Sequence, residues 1–378
     1  MHVLVISHNY PTEIDSSFGF FCRDQAEALA RDGHLVGIVG PLIISVKTIL
    51  KAKSFHLGFR SERNNEVNTN LWLGFSLPKL KRLRYWLMNL IGRRMVDRYV
   101  KNNGVPDIIH LQVFVAADVA LYACLKYNVP LIWSEHFSDV ANDNLSNAER
   151  ILIDKLKKNA KVCIAVSQWL SEKMNQNFGI KALVVPNVYR DHIFKIIPAI
   201  SKREKFTFIS VAYMQPIKNH TRMIEAFSFL SDLPLMLLIV GKGDTLEANK
   251  KIVKDRNLVG RVIFLGELSH GELVLELNKA HAYLVSSDFE TFNVSLVEAM
   301  ACGIPVVSTA CGGPESILIN SSLGILTEKK AESLAVGMRQ LYNGYEEYSS
   351  EIISRHAQSF YSSHAVAQQL TDLYLKCV

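Results

Sequence analysis

Long apolar runs are what this chain most plainly lacks. No stretch of about 18 apolar residues occurs, so the sequence offers no membrane-spanning helix. Cysteines are few, six in 378 residues, and no two stand at the spacing of a zinc or redox motif. Cys22, Cys124, Cys163, Cys302, Cys311 and Cys377 sit among apolar or small residues and read as reduced thiols of a cytosolic protein. A full G-x-G-x-x-G after the first apolar run is missing, which argues against a nicotinamide-dependent dehydrogenase. Acidic residues are nowhere clustered tightly enough for a magnesium site. The opening MHVLVISHNYP has no basic leader, and its apolar run is too short for a signal peptide, so it reads as a buried strand. There is neither an internal repeat nor a low-complexity tract.

What is there is an ordinary globular balance, 49% hydrophobic and 21% charged, in a chain long enough for two domains. The formal charge of +6, from 42 basic and 36 acidic residues, suits an anionic ligand or membrane surface without requiring either. Short apolar runs alternate with helical patterns. HVLVIS, LVGIVG, DIIHLQ, PLIWSE and KVCIAVS form a first series, and FTFISVA, LMLLIVG, VIFLGE, AYLVSS and IPVVST a second. Uninterrupted apolar strands between helices mark parallel sheets buried on both faces. A helix is predicted over 19–32, closed by Gly33.

The fold class is therefore α/β, with two Rossmann-like domains. Their predicted bounds are 1–189 and 206–355, joined by a charged, pattern-poor linker at 190–205 and followed by an amphipathic C-terminal helix at 356–378. Doubly wound sheets bind ligands at the carboxyl ends of their strands. His8, Gly19, His110, His136, Tyr213, Lys218, Gly241 and Glu290 all follow strands.

One junction carries more chemistry than the others. In FETFNVSLVEAMACGIPVVST, residues 289–309, Glu290 closes a strand and Glu298 stands inside the next helix. The helix start at Asn293–Val294 exposes backbone N–H groups and a partial positive charge, which can hold a phosphate. Glu290 can accept hydrogen bonds from sugar hydroxyls beside that phosphate, and Glu298 from a second hydroxyl pair. A nucleotide diphosphate sugar presents hexose, diphosphate and ribose in that order. The plainer alternative is a loop acid at Glu290 and a lysine-paired helix carboxylate at Glu298.

The stretch closely resembles the signature of the retaining glycosyltransferases of family 4, which have the GT-B fold: two Rossmann-like domains facing a central cleft, with a C-terminal helix crossing back to the first. The resemblance continues through GIPVVSTACGGPESI, ISVAYMQPIKNHTRMIEAF, LIVGKGD, RVIFLGEL and VVPNV, and through SHNYP, FGFFCRDQAEALARDGH and PLIWSEHFSD nearer the start. It implies that Glu290 contacts the donor sugar, Glu298 the ribose and Lys218 the donor phosphates. Thr291, Phe292, Asn293 and Val294 would complete the donor loop, and Gly312–Glu315 would lie close to it. His136 would face the donor sugar, and Gly19 would approach the diphosphate. Gly241 and Gly243 would line the nucleotide side unless they only turn the chain. His8 and Asn9 are acceptor-side candidates. His110 either lines the acceptor side or merely ends its strand.

Three residues depart from the family pattern. Tyr213 replaces the usual arginine five residues before Lys218, Asn293 replaces a glycine and could crowd the sugar, and Arg190 replaces an aspartate. No Asp-x-Asp pair is present, so no metal or other cofactor is expected, and the charge on the leaving diphosphate falls to Lys218 and the helix start. The implied reaction transfers a hexose with retention from a UDP- or GDP-sugar to an acceptor hydroxyl. A nucleotide-sugar epimerase of related fold and a non-catalytic sugar-nucleotide binder are the alternatives.

Residues 78–101, PKLKRLRYWLMNLIGRRMVDRYVK, combine Lys79, Lys81, Arg82, Arg84, Arg93, Arg94, Arg98 and Lys101 with a single acid, Asp97. Leu80, Leu83, Leu87, Leu90 and Ile91 recur at helical spacing. One or two amphipathic basic helices are predicted, able to lie on an anionic membrane or to pack on their own domain. The membrane reading makes the protein peripheral on the inner face of the cytoplasmic membrane and the acceptor a lipid-linked glycan, as in relatives that build bacterial surface polysaccharides. No nucleic-acid-binding motif accompanies the charge.

Overall fold

The computed structural model describes residues 1–13, 18–45, 57–64, 66–76 and 81–378. They form two compact units, one of Met1–Val188 with Ser363–Val378 and one of Tyr189–Ser362.

The first unit is built on an eight-stranded sheet of order β3-β4-β2-β1-β5-β6-β7-β8. Its strands are β1 (His2–Ser7), β2 (Leu35–Ser45), β3 (Gly58–Asn64), β4 (Val67–Ser76), β5 (Ile108–Gln112), β6 (Leu131–Glu135), β7 (Val162–Ala165) and β8 (Leu183–Val184). All neighbours pair in parallel except β3 with β4. Val3, Leu4, Val5 and Ile6 of β1 are almost wholly buried because helices cover both faces of the sheet centre. The β3–β4 pair was not anticipated. GFRSERN lacks an apolar run, and as an antiparallel edge strand it needs only backbone pairing to β4.

The second unit has six strands: β9 (Phe206–Val211), β10 (Leu235–Val240), β11 (Val262–Gly266), β12 (Ala282–Val285), β13 (Val306–Thr309) and β14 (Gly324–Thr327). Their order is β11-β10-β9-β12-β13-β14, all parallel. Renumbered within the unit this is 3-2-1-4-5-6, the doubly wound order. The order reverses between β9 and β12. In the first unit the corresponding reversal lies between β1 and β5.

Residues 190–205 cluster with the second unit. Ile197 N donates to Asn278 Oδ1 at 2.8 Å, Lys202 Nζ to the Ala280 carbonyl at 2.6 Å, and Arg203 pairs with Glu276. The C-terminal segment is two helices. Ser350–Tyr361 belongs to the second unit, and Ser363–Leu375 returns to the first. There Val366, Ala367, Leu370 and Tyr374 enter the core that contains Val3, Leu29 and Val36.

The basic segment is one continuous helix from Lys81 to Asn103, while residues 78–80, with Lys79 and Leu80, lie outside the described residues. Its packed stripe is not the leucine stripe. Met88, Gly92, Met95, Val96 and Tyr99 are buried, whereas Leu83 and Trp86 are exposed. Gly92 sets the phase, since a Cβ there would meet Val119 at 2.6 Å.

Candidate functional site

In the second unit the chain leaves β9 through Ala212, Tyr213 and Met214 into a short 3₁₀ turn, Pro216–Lys218. It leaves β12 through Ser286, Ser287 and Asp288 to Glu290. Both exits stand at the point where the strand order reverses. Lys218 Nζ donates to both oxygens of Glu290, at 2.7 and 2.9 Å. Ser287 Oγ donates to Glu290 Oε1 at 2.7 Å, and Asn293 Nδ2 lies 3.3 Å from the same oxygen. The backbone of Glu290 is pinned on both sides, its N–H to the Cys311 carbonyl and its carbonyl by the Gly313 N–H, each 2.8 Å. A side chain at Gly313 would sit 2.2 Å from the Phe292 carbonyl oxygen, which requires glycine at this loop crossing.

Asn293 begins the helix Val294–Ala301 with φ 103°. That left-handed conformation accounts for the family's glycine and for asparagine as its replacement, since Asn tolerates positive φ better than other side chains. The side chain is bound locally. Its Oδ1 accepts from Leu296 N and from Ser295 Oγ, both at 3.0 Å. The amides of Val294 and Ser295 have no partner among the described residues, as expected for the first helical positions.

Glu298 is half-buried in the second turn of the same helix. Burial pushes the phenol of Tyr283 up, and the carboxylates of Glu298 and Glu290 add to the effect, so both acids stand near this one ring. Tyr283 Oη lies 2.8 Å from Ser295 Oγ and 3.1 Å from the Val211 carbonyl, tying β12, β9 and the helix start together. Phe292 is buried and packs on Tyr361, so its ring is part of the core rather than of the donor loop surface. Thr291 is half-buried and Tyr213 is 49% exposed. Gly241 and Gly243 serve the turn: Cβ atoms there would stand 2.1 Å from the Ala212 and 2.3 Å from the Met214 carbonyl oxygens.

Sequence reasoning missed the braces around Glu290. Arg222 joins the Ser286 carbonyl (2.9 Å) to Asp288 (2.6 Å), and Asn219 reaches the same carboxylate. Nothing in the residue types flagged them, because each acts through a loop distant in sequence.

The first unit gathers a second group at the exits of β1, β5 and β6. A Cβ at Gly19 would lie 2.4 Å from the Asn9 carbonyl carbon, so this positive-φ glycine lets two loops touch. His8 packs edge-on against Phe18 and Phe137. His136 stacks on Phe21 with ring centroids 4.1 Å apart, and its Nε2 lies 2.6 Å from Gln112 Oε1. Three buried polar atoms here have no hydrogen-bond partner among the described residues: His8 Nδ1, Asn9 Oδ1 and His136 Nδ1. His110 does not line an acceptor surface. It is fully buried, its Nδ1 2.6 Å from Tyr374 Oη and its Nε2 2.8 Å from Ser134 Oγ.

Burial holds all three of these imidazoles neutral, pushing His8, His110 and His136 down to about 3. Arg84 adds to the shift at His8, and His110 adds to it at His136, where Asn187 opposes it. Glu135 was not anticipated. It is fully buried beside His136 and accepts from the Phe114, His136 and Phe137 amides and the Trp133 indole, 2.9–3.2 Å. Burial pushes its carboxyl up to about 7 against those donors. A rule that inspects every strand end would have found both Gln112 and Glu135.

Residues 193–358 match the family described as "Glycosyl transferases group 1", and residues 19–189 match "Glycosyltransferase Family 4". The chain belongs to glycosyltransferase family 4. This family 4 glycosyltransferase is 26% identical over 301 residues to an uncharacterized glycosyltransferase of Methanocaldococcus jannaschii, covering 77% of this chain and 81% of the relative. Its fold is shared with sucrose-phosphate synthase from Thermosynechococcus elongatus, at 18% identity, TM-score 0.78, and coverage of 100% of this chain and 99% of the other. The Anabaena protein HepE, solved with UDP-glucose, also matches, at 18% identity and TM-score 0.71 over the full length of both chains. The family 4 glycosyltransferase thus has the GT-B type of fold. No helix among its described residues is long and apolar enough to cross a membrane.

Proposed function

We propose that the protein transfers a hexose, with retention, from a nucleotide diphosphate sugar to a hydroxyl of a lipid-linked glycan. The observation that carries this reading is the Lys218–Glu290 pair, set beside the open amides of Val294 and Ser295 where the second sheet reverses its order. Anionic oxygens suit the lysine and the amides, while hydroxyls suit the carboxylates of Glu290 and Glu298. The solved complexes of HepE with UDP and with UDP-glucose support a uridine nucleotide as the donor base. The reading needs no metal, because Lys218 and the helix start would take up the charge that the leaving diphosphate gains. In the first unit, the unpartnered His8 and His136 ring nitrogens and the Asn9 amide oxygen suit a ligand that brings hydroxyls.

The test is release of free nucleotide from UDP- and GDP-linked hexoses, with a glycolipid acceptor. Turnover with one base, lost in Glu298→Ala together with donor affinity, supports the reading. Binding without turnover, or interconversion of the donor sugar without release of nucleotide, removes it.

The membrane contact is part of the same proposal. Leu83 and Trp86 are exposed on a helix that also exposes Arg93, Arg94, Arg98 and Lys101. Arg98 stacks over Phe59 at 4.4 Å, so part of that charge is held against the β3 edge. Each basic residue near an anionic bilayer adds about 1 kcal/mol. Co-sedimentation with phosphatidylglycerol vesicles, abolished in Trp86→Ser with Arg94→Ser, is the expected outcome. Equal sedimentation with neutral vesicles would refute the electrostatic part.

A further inference from the structure

The His136 ring is held by one side chain that the reading of the donor loop does not use. Its Nε2 lies 2.6 Å from Gln112 Oε1. The other end of that amide is itself occupied, with Gln112 Nε2 donating to Gln25 Oε1 at 2.5 Å and lying 3.3 Å from His110 Nε2. His110 Nε2 also lies 2.8 Å from Ser134 Oγ, and its Nδ1 reaches Tyr374 on the helix Ser363–Leu375. Gln25, Gln112, His110 and Ser134 are each at most 4% exposed, so water does not compete for these bonds. An amide nitrogen has only protons to offer. With that nitrogen committed to Gln25 and lying beside His110, the Gln112 carbonyl is left as an acceptor aimed at His136.

An acceptor facing one imidazole nitrogen decides where the ring keeps its single proton. We infer that Gln112 is the positioning residue of His136, fixing it as the Nε2–H tautomer with an unprotonated Nδ1 presented for a hydroxyl donor. Phe21 holds the ring plane by stacking, and Gln112 sets rotation and protonation within that plane. Nδ1 is the buried ring atom with no partner. A sugar hydroxyl can donate to it, whereas a phosphate oxygen, which carries no proton at neutral pH, cannot. The arrangement selects for the sugar and against the diphosphate at this position. This functional consequence rests on the sugar-transfer reading, but the tautomer does not.

The experiment is a long-range ¹H–¹⁵N correlation spectrum of the ligand-free, histidine-labelled full chain near neutral pH, with His136 assigned by the signal missing from His136→Gln. The expected ring carries its proton on Nε2. Gln112→Leu is expected to give averaged nitrogen shifts from mixed tautomers. Its kcat/KM should fall about tenfold, as befits one orienting hydrogen bond. Gln112→Glu, which keeps an acceptor, should hold the Nε2–H tautomer. A wild-type ring protonated on Nδ1 overturns the inference, as does an unchanged tautomer in folded Gln112→Leu. Should Gln112→Leu fail to fold, the wild-type and Gln112→Glu spectra still decide. The expected tautomer in a protein without transferase activity would leave the inference standing and remove the sugar-transfer reading instead.

Discussion

Asn293 does two things that no single smaller residue does. It tolerates a φ of 103° and caps the helix it begins. Asn293→Ala keeps the backbone strain and loses the cap, so it is expected to cost about 1 kcal/mol. Asn293→Gly relieves the strain and should cost less than that, an ordering that urea denaturation of the two variants checks. At Lys218 the effects divide between fold and rate. The ion pair with Glu290 is largely shielded, the two side chains being 22% and 10% exposed. Lys218→Met strands a carboxylate and is expected to lower stability by about 3 kcal/mol, much of which Lys218→Met with Glu290→Gln should restore. The rate behaves otherwise: either variant should lose about 10²–10³ in kcat, the worth of one positioned charge-stabilising group. Recovery of activity in the double variant would contradict the role of Lys218.

Among the elements, those with strong apolar period were readable and those without it were not. The helix Phe20–Arg31 and its closing Gly33, at φ 90°, lie almost where the pattern put them. The β3–β4 hairpin was missed because its outer strand is polar. In the helix Lys81–Asn103 the leucine stripe drew attention, while the positions that pack are Met88, Gly92, Met95, Val96 and Tyr99. The helix Ser363–Leu375 illustrates how an element far along the chain completes an early core. A chain ending at Ser362 would expose the sites of Val366, Leu370 and Tyr374, each fully buried. At about 1.5–3 kcal/mol for each large side chain, that loss rivals the stability of an ordinary domain. The truncated protein is expected to show one cooperative unfolding transition, from the second unit, in calorimetry. Two transitions would mean that the first unit folds without this helix.

At the scale of the molecule, two sheets reverse their order at one point each, and the candidate residues of each unit gather there. The first unit also concentrates buried ionisable groups, which makes stability depend on pH. His8, His110 and His136 have folded values near 3, below the ordinary 6.5. As pH falls below 6.5 the unfolded chain takes up protons that the folded chain refuses, so these residues lower stability progressively down to about pH 3. Asp24 and Glu135 act the other way. Burial raises them to about 6 and about 7, so they favour the folded state at low pH and lose that contribution as pH rises through those values. Between about pH 4.5 and 6.5 the two sets partly cancel. Below the ordinary carboxyl values the two acids are protonated in both states and no longer offset the histidines. The urea midpoint is expected to fall most steeply below about pH 4.5, and a midpoint that rises there would contradict neutral burial of these rings.

Alternation of apolar runs with helical patterns, and the spacing of Glu290 from Glu298, were properties of the chain in one dimension. They were enough for the α/β class and the family, because local hydrophobic period and a contiguous motif need no knowledge of what packs against them. Which polar groups meet was decided only by tertiary structure. Ser287, Asp288 and Arg222 around Glu290, Gln112 and Glu135 around His136, and Tyr374 behind His110 are joined by strand order and loop crossings. A hydrogen bond between residues tens or hundreds of positions apart leaves no period and no spacing to read.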